Sequence, residues 1–172
     1  MNALTRKLTL VLHIISSVGW IGAIACFLIF ATTAISSDSA VRLHSVYVAM
    51  DEIGYGVLVP LSLASLITGV IQSLATEWGL FKHYWVLFKF VLNLLATTVL
   101  IVFIRTLDLS LSQAQWSDPN ALEGLRTPAP VIHASVGLLI LVTATVLSVF
   151  KPRGLTPYGW RRQMRKAEQR QS

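Results

Sequence analysis

The sequence is poor in charge and almost without cysteine. Charged residues make up 13% of its 172 positions and hydrophobic ones 54%. That balance is too apolar for one soluble domain, although the length would suit one, so lipid is the expected solvent. Cys26 is the single cysteine, which excludes an intrachain disulfide and a thiolate metal cluster. Lying in an apolar run, it reads as a small buried hydrophobe. Also missing are a Gly-rich phosphate loop, an HExxH zinc helix, a Cys-x-x-Cys pair and a Gly-x-Ser-x-Gly elbow. Hydrolases and nucleotide-driven pumps therefore have no chemical footing here.

What is present is four long apolar runs, Leu8 to Phe30, Ile53 to Leu74, Tyr84 to Ile104 and Pro130 to Val149. Each approaches the ~20 residues that cross a ~30 Å hydrocarbon core at ~1.5 Å per residue. Unpaired backbone groups are not tolerated in lipid, so the runs are helices. The first run is too long for the ~7 to 15 apolar residues of a secretory signal and is read as a retained span. The expected fold is an all-α four-helix transmembrane bundle over residues 1–150, followed by a basic tail over 151–172. No residue-level internal repeat is convincing.

The formal net charge is +6, and it is unevenly placed. Arg6, Lys7 and Lys82 lie on one side of the predicted membrane with the tail residues Lys151, Arg153, Arg161, Arg162, Arg165, Lys166 and Arg170. The other side mixes Arg42, Arg105 and Arg126 with Asp38, Asp51, Glu52, Asp108, Asp118 and Glu123. Basic residues favour the cytoplasm, so both termini are predicted there. The tail predicts contact with anionic lipid headgroups. Nucleic acid is not an expected partner, since about twenty tail residues supply no folded reading module.

Between the spans, Ser36 to Glu52 is predicted as an interfacial helix or an extension of the second span. Asp118-Pro119 and Pro128-Ala129-Pro130 mark turns and a helix start. Trp78, Tyr84, Trp85 and Trp116 suit the interfacial belt, and Pro60 marks a kink site. In the first span Gly19 with Ala23, and Gly22 with Cys26, permit close helix packing.

Lys89 is the only Lys or Arg well inside a span, ~8 Å from its start at Tyr84. His13 reaches a similar depth from the same side, which lets the two face each other. Lys89, Asn93 and Thr97 recur at helical spacing, as do His13, Ser16 or Ser17, and Trp20. Ser62, Ser65, Gly69 and Gln72 do so on the second span. Together these residues are expected to line a cavity in the cytoplasmic half. Ionisable groups in a membrane interior are a functional signal by default, although snorkelling would also account for Lys89 and an interhelical hydrogen bond for His13. Paired imidazoles at one depth would ligate haem from both faces. His13 with His83, or His44 with His133, meet that condition loosely. Asp51-Glu52 is read as solvated or paired with Arg42 or Arg105.

The residues Leu12-His13 through Val18-Gly19-Trp20-Ile21-Gly22-Ala23, Pro60-Leu61 through Thr68-Gly69, and Trp78 through Lys89 resemble an uncharacterised family of bacterial four-span integral membrane proteins, over about Lys7 to Val149. That resemblance implies the bacterial inner membrane. More distantly, His13 with Trp20 and Trp85-x-x-x-Lys89 are similar to membrane-type protoporphyrinogen oxidases, which bind haem, and to copper-resistance D proteins. In the oxidase group a first-span His and a third-span Lys are functionally required, and by motif these match His13 and Lys89. The chain departs from that group at Phe27 to Ala31, apolar here, where the group carries an Arg and a second His.

Three functional readings follow. In one, haem b or another porphyrin binds with His13 as axial ligand or proton acceptor, Lys89 and Asn93 beside it, and Trp20 packed on the ring. The others are a small transporter or metal-handling protein, dimeric because four spans are few, and a structural or accessory subunit held to a membrane partner.

Overall fold

The computed structural model describes residues 2–76, 79–113, 124–152 and 154–171. Trp78, Trp116, Asp118, Pro119, Glu123 and Arg153 fall outside them. Within the described residues the protein is all-α: α1 (Ala3–Ser36), α2 (Ala40–Ala75), α3 (Tyr84–Gln113), α4 (Ala129–Phe150) and α5 (Pro157–Gln171). The first four are long and apolar enough to cross a membrane. Each neighbour in sequence packs on the next, and α4 closes the ring against α1. The result is an up-and-down bundle with both chain ends on one side, called the terminal side below.

Three helices extend past the apolar runs that predict them. Asn2 caps α1, its Oδ1 accepting from the Thr5 N–H at 2.8 Å and from the Thr5 hydroxyl at 2.7 Å. The 34 residues of α1 span ~51 Å, more than the hydrocarbon core requires. Its buried positions include Ser16, Trp20, Ile24, Phe27, Ala31 and Ala34, a single stripe at helical spacing. Leu12, Ile15, Val18 and Ile29 are exposed and face lipid. Cys26 is exposed too, not buried, because it lies off the stripe.

The segment before the second span extends that span and is not a separate interfacial helix. It joins through a π-helical turn at Gly54–Leu58, where the Val59 N–H reaches back to the Gly54 carbonyl. Pro60 follows directly, so the wide turn sits where a missing N–H already breaks the α-helical ladder. Gly54 is pressed on Ile104 of α3, and a Cβ there would lie 2.6 Å from the Ile104 Cδ1.

The core is asymmetric. Phe27, Leu43, Met50, Leu58 and Ile104 fill the far half, while the buried hydroxyls of Ser16, Ser62, Ser65 and Ser73 lie nearer the terminal side. The tail is more ordered than its composition suggests. After Lys151, left-handed at φ 44°, the chain pairs with the α2–α3 loop through a bridge between His83 and Leu155. The Thr156 N–H donates to the Lys82 carbonyl at 2.9 Å and its hydroxyl to that of Phe81 at 2.5 Å. Gly159 fits so closely that a Cβ would sit 2.3 Å from the Lys82 carbonyl oxygen. This clamp launches α5.

Candidate functional site in the terminal half

Helix register sets which polar side chains share a depth. α1 and α3 run parallel, and the rings of Phe27 and Phe103 meet edge to face with centroids 6.2 Å apart. Fourteen residues back along each helix, ~21 Å toward the terminal side, stand His13 and Lys89. On the antiparallel neighbours, His13 meets Thr68 of α2 and Lys89 meets Ser148 of α4. One residue from each of the four spanning helices thus forms a polar layer.

The hydrogen bonds in this layer have a fixed direction. The Thr68 hydroxyl donates its only proton within α2, to the Ala64 carbonyl at 2.6 Å. With that proton given to Ala64, the 3.0 Å contact is read as Nδ1–H donating to Thr68 Oγ1, and the ring also hydrogen-bonds the Ser65 backbone. A neutral His13 therefore carries its lone pair on Nε2. Gly69 leaves room for the ring, since a Cβ there would come within 3.2 Å of Cε1. Lys89 repeats the arrangement: its ammonium donates to Ser148 Oγ, whose hydroxyl donates to the Ala144 carbonyl at 2.8 Å. The ammonium also lies 5.6 Å from the centre of the Trp85 ring.

These contacts tie α1 to α2 and α3 to α4, and the 2.9 Å bond between the Ser17 and Ser65 hydroxyls adds to the first pair. Gln72 adds a bond to the Arg6 carbonyl at 3.3 Å. One and two turns farther out on α3, Asn93 Oδ1 and Thr97 Oγ1 are buried without a hydrogen-bond partner. Trp20 Nε1 is likewise unpartnered, in a side chain only 1% exposed. Trp20 lies two turns outward of His13, ~10 Å along α1, so it belongs to the next layers of the core.

The remaining histidines lie elsewhere. His83 is in the clamp, six residues before Lys89. His133 stacks on Phe103, with ring centroids 4.3 Å apart, in the far half. His44 is exposed on α2, ten residues beyond Gly54, which packs at the depth of Ile104. Neither His13 with His83 nor His44 with His133 shares a depth, so the loose pairing read from the sequence does not give two axial ligands. Asp51 is half-buried near the far end with Oδ1 unpartnered, while Glu52 is exposed. Among the described residues, no three His, Cys, Asp or Glu side chains gather into a metal-binding group.

Sequence reasoning missed the two residues that orient the layer, Thr68 and Ser148. Both are hydroxyls one helical turn beyond a backbone acceptor, a signal present at many positions. An apolar cavity of ~160 Å³ lies in the far half.

Comparisons with protein-family models, with curated proteins and with solved structures find no match. Fold and composition define a multi-span membrane protein whose helices pack as a bundle. The resemblance to bacterial membrane families rests on its motif residues alone.

Proposed function

We propose that the bundle binds haem b or a related porphyrin at the His13–Lys89 layer, in a bacterial plasma membrane with both termini cytoplasmic. The observation that carries this reading is the orientation of His13. Its Nδ1–H is engaged by a hydroxyl fixed to α2, which leaves Nε2 as the free donor, the arrangement that orients metal-ligating imidazoles. Lys89, at the same depth on the other hairpin, supplies a cation for a propionate. The unpartnered oxygens of Asn93 and Thr97 lie just above and favour a polar group of the ligand there. Since the hydrogen bonds run within the hairpins α1–α2 and α3–α4, a flat ring enters by parting the seam between them.

Bound haem would supply a one-electron couple. The chain's own part is to hold His13 in one tautomer, neutralise the acidic edge through Lys89 and keep bulk water out with the apolar far half. The absorption spectrum of detergent-purified protein, before and after haem loading, tests this. A stoichiometric Soret band that is lost in His13→Ala and weakened in Lys89→Ala is expected. A wild-type protein that shows no Soret band even after loading contradicts it.

A second reading draws on Asn93 and Thr97. Unpartnered polar atoms above a buried cation also suit a path for a small polar solute. Solute accumulation in proteoliposomes that survives His13→Ala would favour transport over haem binding. In either reading α5 lies on the anionic leaflet: Tyr158, Trp160 and Met164 are exposed beside exposed Arg161, Arg162 and Arg165, a composition suited to the headgroup boundary.

A further inference from the structure

The far half contains a site that the porphyrin reading does not use. Between α3 and α4 lies the ~160 Å³ cavity, lined by residues including Trp20, Phe27, Val99, Phe103, His133 and Gly137. Its size decides what fits, because a dry apolar cavity of about 150 Å³ holds one benzene ring. Val99 on α3 and Val136 on α4 line it and are both exposed on the bundle surface, so the entrance faces the bilayer. The walls are apolar and aromatic, and His133, exposed on the bundle surface, lines the mouth, stacked on Phe103 with an interplanar angle of 17°.

The chemistry of His133 is fixed by its other contact. Its Nδ1 lies 2.8 Å from the Ala129 carbonyl oxygen. A carbonyl oxygen only accepts, so Nδ1 carries the proton, and in the neutral ring Nε2 is an acceptor. An acyl chain would leave that acceptor unused. A ring bearing only carbonyl oxygens suits the unpartnered Trp20 Nε1–H in the same wall but sets acceptor against acceptor at His133. A hydroxyl supplies the missing proton, and an aromatic ring carrying it stacks well among Trp20, Phe27 and Phe103.

We infer that this cavity is a binding site for a single hydroxylated aromatic ring, a phenol or hydroquinone head delivered from the bilayer, whose hydroxyl donates to His133 Nε2. The cavity runs from Trp20, ~10 Å outward of His13, to Phe27 and Phe103, ~21 Å outward, and stands or falls independently of the His13 layer. At His133 the hydroxyl form is preferred over a carbonyl oxygen, while the Trp20 Nε1–H in the same wall donates to the oxygen of either form.

Photolabelling of the full chain in proteoliposomes tests this, with 4-azidophenol as probe, azidobenzene as the control lacking the hydroxyl, and peptide mapping by mass spectrometry. The expected result is labelling of Val99, Phe103, Val136 or their immediate neighbours at least tenfold above the lipid-facing residues of α1. His133→Leu should reduce 4-azidophenol labelling to the azidobenzene level. Val136→Phe, a change at an exposed position that narrows the entrance, should abolish labelling by both probes while the elution profile is unchanged. Uniform labelling of all lipid-facing helices overturns the site. Equal labelling by the two probes, unaffected by His133→Leu, overturns the hydroxyl specificity and leaves a groove for hydrocarbon.

Discussion

At His13, one hydroxyl determines what the imidazole can do. Thr68 takes the Nδ1 proton because its own proton is committed to the Ala64 carbonyl. Thr68→Val removes the side-chain acceptor and leaves the His13 ring only its Ser65 backbone hydrogen bond. Loss of such an orienting partner weakens metal binding ~10- to 100-fold. Haem titration of Thr68→Val should show that loss, and Thr68→Ser should recover most of it. Similar affinities for all three proteins would mean that the hydroxyl does not orient His13. The depth shared by His13 and Lys89 was legible in the sequence because helical rise is constant from one span to the next. Their partners were not, since which hydroxyl meets them depends on how α2 and α4 rotate about their own axes.

At the scale of the helix, two tight contacts fix elements that hydropathy does not reveal. The π-helical turn of α2 brings Gly54 against Ile104, so Gly54→Ala overpacks the far core and should destabilise the bundle by ~1–3 kcal/mol. Thermal unfolding in detergent would measure this. Ile104→Val, which removes the closest atom, should restore part of the loss. In the clamp, a side chain at Gly159 meets backbone and not a yielding side chain. Gly159→Ala should therefore release α5 and accelerate tryptic cleavage after Arg161, Arg162 or Arg165, leaving the four spans intact. Unchanged cleavage would show that the clamp does not hold α5 down. The sequence marked the tail as basic but did not show its helix, because α5 is short, rich in arginine and lacks an apolar run.

For the whole molecule, hydropathy revealed the number of spans because lipid accepts few solutions, but it understated their length. α1 begins at Ala3 and α2 at Ala40, since helices continue into the headgroup region where polar residues end the apolar pattern. Basic residues gather on the terminal side, so reporter fusions at either end should both report a cytoplasmic location, and a signal from the opposite side at either end would contradict the proposed orientation. The bundle has a polar terminal half tied hairpin by hairpin and an apolar far half closed by aromatic and branched side chains. The proposed function depends on the free Nε2 of His13 more than on any other feature. Solid-state ¹⁵N spectra of histidine-labelled protein, with His13→Gln used to assign the signal, measure this directly. A neutral imidazole protonated at Nδ1 and bare at Nε2 is expected, and a His13 signal protonated at Nε2 would contradict the proposed function.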